Sequence, residues 1–265
     1  MYDRRHQEEE LTFINSGQFW QRSLVIEDQS TCSLWSQMLG TAMQGERAGQ
    51  AIQSIPSTLT NWKSWKEKFP KTTVMVLTPL TQFYTSRCYQ GNLGKHLIGT
   101  KQPGHAPKAW RYDQLTHEPV VNDDYAGQPI VVMFKESVGS ATIFQRQIDG
   151  ETLEFNWQKP NIVDKQSNSI WDPLTGIAIS GPRQGQRLKT QISIPCFSDK
   201  WEQFHNDSEY WSVALPLFFS TQITENISAK CEEISHKHVM ELYHQSLGLK
   251  NITREKAKNF FNEKR

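Results

Sequence analysis

The densest group of polar side chains in the sequence lies in one short segment around His117 and Glu118. Asn122 and Asp123 follow within a few positions, and Arg146 is a more distant candidate. A histidine near carboxylates could act in general acid–base catalysis or could help to hold a metal ion. The same Asn-Asp pair, with a glycine shortly after it, also fits an ordinary turn before a strand. A catalytic and a structural interpretation are therefore both open.

Two tryptophans are the next candidates, because an accessible indole ring can stack on a ligand. Trp35 with Gln37, and Trp171 with Asp172, join Asn122 as our candidate ligand-binding residues. Each tryptophan begins a Trp-x4-Gly-x4-Gly-x3-Gly segment. Glycines supply turn conformations, and a tryptophan beside them commonly fills a core. A packing role and a ligand-binding role are both open.

Other patterns with a known chemistry are weak or missing. His238 and His244 are six positions apart in the sequence, whereas helical metal ligands need a spacing of about four. Four cysteines are scattered along the chain, at Cys32, Cys88, Cys196 and Cys231. They form no Cys-x-x-Cys pair, which excludes a zinc ribbon or a thioredoxin motif. Walker, Rossmann, Gly-x-Ser-x-Gly and His-Glu-x-x-His motifs are absent. No cofactor motif is evident.

The composition narrows the class of protein further. The chain has 265 residues, of which 37% are hydrophobic and 9 are tryptophan, so a real core is expected. The net charge of +1 gives no strong field for nucleic acid, and we expect no nucleic-acid partner. The longest apolar run, 213–219, is far below the ~20 residues of a membrane-spanning helix. No secretory signal is visible after Met1.

Short strands and a helix are expected around these candidates. Residues 130–134 predict a buried strand, and Asp149-Gly150 predicts a hairpin turn between the runs 142–148 and 152–157. Residues 61–69 predict a helix whose tryptophans pack into the core, and Pro70 ends it.

Further elements are expected after that helix. Residues 200–205 predict a weaker helix and residues 74–77 a strand. Two amphipathic helices are expected in the tail, at 229–247 and 253–263. The tail belongs to neither copy of the repeat described next, and self-association through it is one hypothesis.

The sequence contains an internal repeat. An offset of 136 positions aligns Trp35 with Trp171 and gives nine identities over residues 28–50. Chance would give roughly one match in sixteen. Upstream the offset becomes 142, where Tyr2 meets Phe144. One loop is therefore shorter in the second copy, at little cost in free energy.

The repeat predicts the organisation of the chain. We expect a first copy at 1–80, a second copy at 81–211 and a helical tail at 212–265. Residues 85–143 have no counterpart before Met1, so we expect that the first copy is truncated and that the true start lies upstream.

Several ordered motifs together resemble one bacterial family, catalogued as domain of unknown function 3179. They are Leu97-Ile98-Gly99, Lys108-Ala109-Trp110, the segment from His117 to Asp123, Asp3-Arg4-Arg5, Ser33-Leu34-Trp35-Ser36-Gln37, and Trp62 and Trp65 before Phe69-Pro70. The resemblance spans about residues 1–211. It implies relatives and a fold, but no reaction.

The resemblance also implies a Cys-x-x-Cys-Gly just after the 130–134 strand. This sequence has Lys135 and Val138 at the two cysteine positions and keeps Gly139. Lysine and valine cannot replace thiolate chemistry. The resemblance leaves a metal in the family open. Relatives often look exported, which implies a periplasmic or other exported location for a truncated chain and a cytoplasmic one otherwise.

These observations predict a strand-rich α+β protein with two related domains of antiparallel or mixed sheets. The favoured function is a non-catalytic or degenerate ligand-binding or interaction module of the cell envelope. The alternative is a metal- or redox-dependent enzyme that uses His117, Glu118, Asn122 and Asp123, with Arg146 as an addition.

Overall fold

The computed structural model describes residues 1–73 and 93–213, all within the compact unit Met1–Val213. Short strands dominate, which confirms the strand-rich class. In chain order the elements are β1 (Arg5–His6), β2 (Glu9–Glu10), β3 (Phe13–Trp20), β4 (Ser23–Asp28), β5 (Leu34–Ser36), β6 (Thr41–Gln44), α1 (Trp62–Lys68), β7 (His96–Thr100), β8 (Lys108–Arg111), α2 (Tyr112–Leu115), β9 (Val120–Tyr125), β10 (Gln128–Lys135), β11 (Ser140–Gln145), β12 (Gln147–Ile148), β13 (Glu151–Thr152), β14 (Phe155–Gln158), β15 (Asn161–Asp164), β16 (Ile170–Trp171), β17 (Ala178–Ser180), β18 (Lys189–Thr190), β19 (Ile194–Phe197), α3 (Ser198–Phe204) and β20 (Glu209–Trp211).

The described strands pair into four sheets of four strands and two short hairpins, β1–β2 and β12–β13. Each copy contributes one meander, in the order β3-β4-β5-β6 or β14-β15-β16-β17. The other two sheets have the orders β18-β11-β10-β9 and β19-β7-β8-β20. Strand β20 runs parallel to β8, and the other neighbours are antiparallel. The expected antiparallel and mixed sheets are therefore confirmed.

Two predicted elements of the second copy are confirmed in detail. Residues 130–134 lie in β10, and all five side chains are buried. Asp149 and Gly150 join β12 to β13 with φ of +52° and +82°. A type I′ turn needs positive φ at both central residues, which is why the Asp-Gly pair indicates the hairpin from the sequence alone.

The two helices after the meanders form where the sequence predicts them. The side chain of Asn61 caps α1 by accepting a hydrogen bond from the backbone N–H of Ser64 at 2.8 Å. The expectation that both tryptophans of α1 fill the core is wrong, because Trp62 is 45% exposed and Trp65 is half-buried. In α3, by contrast, Trp201 is fully buried against Gly99 of β7, which has no side chain to exclude the ring.

Trp35 and Trp171 lie in matching surroundings. The indole Nε1 of Trp35 donates to Asp28 Oδ2 at 2.7 Å, and that of Trp171 donates to Asp164 Oδ2 at 2.8 Å. Both carboxylates and both rings are fully buried or nearly so. In each copy a phenylalanine ring stands edge-on to the tryptophan at 5.7 Å. The packing role proposed for the two tryptophans is therefore confirmed.

The glycines of the repeat are fixed by a close approach of two chain segments. Gly45 and Gly181 have φ of +96° and +92°. A Cβ at either position would lie 2.7 Å from an atom of Ser33 or of Ser169. Neither a positive φ nor such a contact suits a larger residue. This constraint explains why the glycine spacing recurs in both copies.

The correspondence extends to the helices. Trp65 Nε1 donates to Thr72 Oγ1 at 3.2 Å, and Trp201 Nε1 donates to Ser208 Oγ at 2.7 Å. These pairs obey the same offset of 136 as Trp35 and Trp171. The structure thus repeats the local geometry over most of the aligned segments, while the predicted boundary between residues 80 and 81 stays a prediction.

Some predicted elements lie outside the described residues. These are the strand at 74–77, the tail helices at 229–247 and 253–263, and Cys88 and Cys231. Cys32 and Cys196 are free thiols. Within the described ranges, no helix has the length and apolar character required to cross a membrane.

Replacement of Trp171 by phenylalanine should destabilise the fold by about 1–3 kcal/mol, because it leaves a buried carboxylate oxygen of Asp164 without its indole donor. Urea unfolding followed by circular dichroism measures this loss. The control is Trp62→Phe at the exposed position, which should change the free energy of unfolding by less than about 0.5 kcal/mol. Equal effects of the two substitutions would contradict the role given to the Asp–Trp bond.

Candidate functional site

Three segments that are far apart in the sequence line one cavity of about 390 Å³. The first is Pro119, directly after the His117-Glu118 pair. The second is 135–137, at the end of β10, and the third is 170–173, around Trp171. We call this space the motif cavity. Its first segment belongs to a motif of the family resemblance, its second holds the first implied cysteine position, and its third is the second copy's counterpart of the motif at residues 33–37.

Strand β10 and its neighbours position the first two segments. The backbone N–H of Phe134 donates to the carbonyl oxygen of Pro119 at 2.8 Å and ties the segments together. Lys135 is the last residue of β10 and pairs with Ser140, the first residue of β11. The short 3₁₀ turn Glu136–Val138 lies between them. The position of the first implied cysteine therefore faces a defined cavity, where the chain has a lysine.

The third segment is fixed by the buried network of the repeat. Trp171 is 1% exposed and is held by its hydrogen bond to Asp164, so it contributes a rigid wall to the cavity. Asp172 comes next and accepts hydrogen bonds from the backbone N–H groups of Leu174 and Thr175, each at 3.0 Å. These bonds set the turn after β16 and hold the carboxylate in place.

Asp172 is the most buried charged side chain among the residues that line the cavity. Burial pushes the pKa of this carboxyl upward, but the Lys68 ammonium and the Thr175 donors outweigh burial and hold the pKa below its usual value. Lys68 comes from α1 of the first copy and forms a direct ion pair with Asp172. The negative charge at this edge of the cavity is therefore largely compensated from within the chain.

The opposite rim of the motif cavity is apolar and accessible. Trp157 is 42% exposed and Ile179 is 53% exposed, and both line the cavity. Pro160 and Pro173 add further apolar surface. A half-exposed indole beside polar edges is a common platform for stacking a flat ligand.

The other two ligand-binding candidates lie elsewhere. Trp35 is fully buried in the first copy, and Gln37 is exposed just after β5. The backbone oxygen of Gln37 accepts a hydrogen bond from the Tyr2 hydroxyl at 2.9 Å. Neither residue lines the motif cavity. The structure brings Trp171 and Asp172 to one site, while ligand binding by Trp35 or Gln37 stays a prediction.

The polar segment before β10 separates into different surroundings. His117 and Glu118 are exposed in the turn before β9. The Asn122 side chain donates to the carbonyl oxygen of Phe155 at 2.7 Å and accepts from its N–H at 2.9 Å, so it docks β14 onto β9. Its neighbour on the strand points to the opposite face, where Asp123 accepts from Lys108 Nζ at 2.8 Å.

Arg146 also has a structural environment. Its Nη1 donates to the carbonyl oxygen of Leu153 at 3.2 Å, and its Nη2 lies 3.7 Å from Asp124 Oδ2. Asn122 and Asp123 are thus on opposite strand faces, and none of the five candidates lines the motif cavity. Within residues 1–73 and 93–213, no group of three His, Cys, Asp or Glu side chains is arranged to hold a metal ion.

Sequence reasoning missed Lys68 and Trp157 as residues of the site. Lys68 lies 104 positions before Asp172, and nothing local to α1 indicates this partner. Trp157 ends the predicted strand run 152–157, and a strand pattern does not tell a core ring from a rim ring. The sequence does single out Lys135, because the resemblance implies a cysteine at its position.

Comparison with known proteins identifies the class. A sequence model of the family described as a protein of unknown function, DUF3179, matches residues 1–94 and again residues 92–214. The chain therefore belongs to the DUF3179 family, and the two adjacent matches are consistent with tandem copies. No curated protein and no solved structure matches the chain.

Removal of the cation at Asp172 should weaken the fold in a pH-dependent way. Lys68→Met should cost about 1–2 kcal/mol near neutral pH, because Asp172 is buried and Lys68 is only partly exposed. A carboxyl whose pKa is lowered by folding stabilises the protein above its unfolded pKa, and this stabilisation is lost as the pH falls through the folded pKa. The difference between variant and wild type should therefore shrink in acid.

Thermal denaturation across a pH series measures this effect. Lys63→Met, at an exposed position of the same helix, is the matched control and should behave like the wild type. A destabilisation by Lys68→Met that stayed constant down to the lowest pH would argue against the ion pair as its cause.

Proposed function

We propose that the chain is a non-catalytic ligand-binding module whose ligand lies in the motif cavity. The observation that carries this proposal is the convergence of three motif segments on one cavity with Lys135 at its edge. These segments lie tens of positions apart in the sequence but line the same space. Their side chains could therefore contact one ligand together. The Cys-x-x-Cys chemistry that the resemblance implies would need thiols, and Lys135 and Val138 supply none.

The form of the cavity supports binding of a small organic molecule. A volume of about 390 Å³ falls in the range of ligand pockets, which are mostly apolar with a few fixed polar groups. Trp157 and Ile179 offer the apolar surface, while Lys135, Asn161 and Asp172 offer polar edges. This combination suits a ring with an apolar face and hydrogen-bonding groups on its perimeter, such as a pyranose sugar.

The compartment is part of the proposal. We infer an envelope location from the resemblance to relatives that look exported, because a sugar-binding module would meet cell-wall saccharides there. Self-association through the tail stays a hypothesis, since residues 214–265 lie outside the described residues.

The alternative is a metal- or redox-dependent enzyme built on His117, Glu118, Asn122, Asp123 and Arg146. It needs these side chains to converge, and the opposite faces of Asn122 and Asp123 on β9 do not favour this. Metal analysis of the full chain, combined with an assay for turnover, distinguishes the two functions. Stoichiometric metal together with turnover of a substrate would support the enzyme hypothesis and contradict the binding-module hypothesis.

The test of the binding proposal uses the indole signal of Trp157. Titration of the full chain with N-acetylglucosamine or glucose should shift this signal in a saturable way in ¹⁵N–¹H spectra of tryptophan-labelled protein. Isothermal titration compares the affinities of the variants, because Trp157→Ala lacks the reporting indole. Trp157→Ala should weaken the affinity by about fivefold, because stacking on an aromatic ring contributes about 1 kcal/mol. Trp157→Phe identifies the signal.

The matched control is Trp62→Ala, which removes an exposed tryptophan that does not line the motif cavity. It should leave the affinity unchanged. If neither sugar shifted the Trp157 signal, or if both alanine variants bound equally well, the proposed site would be wrong.

A further inference from the structure

A second cleft lies where the first copy meets the second. It shares no lining residue with the motif cavity. Its volume is about 590 Å³. One side is formed by segments around β6, including Ile52, and the other by the loop after β7 and the end of α3. Its most polar inner groups are Lys101 and His205, both from the second copy.

Lys101 is a cation without a carboxylate partner among the described residues. Its Nζ donates to the carbonyl oxygen of Leu39, which also lines the cleft, at 3.1 Å. Burial lowers the pKa of this ammonium below its usual value. A charged group in such a place is stabilised by an anion that enters the cleft.

His205 is a polar group where packing requires only an aromatic ring. It is 6% exposed, and its Nε2 has no hydrogen-bond partner. Burial first, and then the charge of Lys101, lower the pKa of this imidazole to about 4. The ring is therefore neutral at neutral pH, and it lines the same cleft as the Lys101 ammonium.

The first copy shows what this position requires for folding alone. An offset of 136 aligns His205 with Phe69. The Phe69 ring lies 4.5 Å from Trp65, and the His205 ring lies 4.3 Å from Trp201, between ring centres. A phenyl ring thus makes the same contact with the helix tryptophan in the first copy, and the unpaired nitrogen of His205 adds a desolvation cost that this contact does not need.

The rest of the cleft limits the kind of anion. Ile52, Ile192 and Ile194 give it apolar walls. Asp207 is exposed and lines the cleft, and its negative charge acts on His205 and favours a ligand with one negative charge over a ligand with two. Exposed His105 also lines this outer side.

We propose that this cleft is a second binding site, for a small organic monocarboxylate whose carboxylate lies at Lys101 and His205 and whose apolar body lies against the isoleucines. The site is independent of the motif cavity and of the function proposed for it. Its two polar groups come from the second copy alone, while the first copy closes the opposite side.

The experiment compares hexanoate with hexanamide, which has the same apolar body without the charge. Isothermal titration of the full chain should show saturable binding of hexanoate at millimolar concentrations and affinity for hexanamide at least about tenfold weaker. Lys101→Met keeps the aliphatic stem and should weaken hexanoate by about tenfold or more. The control is Lys200→Met, which removes a cation of α3 that does not line the cleft.

His205→Phe provides the second variant, because Phe69 makes the corresponding tryptophan contact in the first copy. It should keep the melting temperature and weaken hexanoate severalfold. The proposal is overturned if hexanoate does not bind saturably, if hexanamide or inorganic phosphate binds as well as hexanoate, or if Lys101→Met and His205→Phe both bind like the wild type.

Discussion

A buried carboxylate in each copy accepts a hydrogen bond from the indole of the tryptophan seven positions later, and the rest of the repeat depends on this pair. Asp28 and Asp164 are completely buried. Burial alone would raise their pKa values, but the indole, hydroxyl and backbone donors outweigh it and lower them. Because an ionised carboxylate without these donors would be very costly in the interior, the surrounding turn has little freedom to change.

This constraint separates the scaffold from the site. The tryptophan, the carboxylate and the nearby serine and glycine recur in both copies, whereas the residues directly after the tryptophan differ. Ser36 and Gln37 of the first copy correspond to Asp172 and Pro173 of the second. Only the second copy therefore presents a charged group at this edge, and Lys68 of the first copy compensates it. The two copies therefore share the packing around the tryptophan but differ in the residues directly after it.

The sequence predicts what is decided locally and misses what is decided by long-range packing. The Asp149-Gly150 hairpin and the helix within residues 61–69 follow from local sequence patterns and were predicted. The exposure of Trp62 was not, because helical spacing shows which residues share a face but not what covers it. The Lys68–Asp172 pair joins residues more than a hundred positions apart, and no local pattern encodes such a contact. The motifs of the cavity were visible, but their convergence was not.

Internal duplication supplies a reference state that a single domain lacks. Where the two copies pack alike, a difference in residue type cannot be explained by packing, and its cost must be offset elsewhere. His205 against Phe69 is such a difference in one contact: both rings lie at nearly the same distance from a helix tryptophan, while His205 is buried and Phe69 is half-buried. The two tryptophans themselves do not have the same surroundings, because Trp201 is buried and Trp65 is only half-buried. A polar substitution is therefore most informative about binding at positions where the local geometry of the two copies agrees.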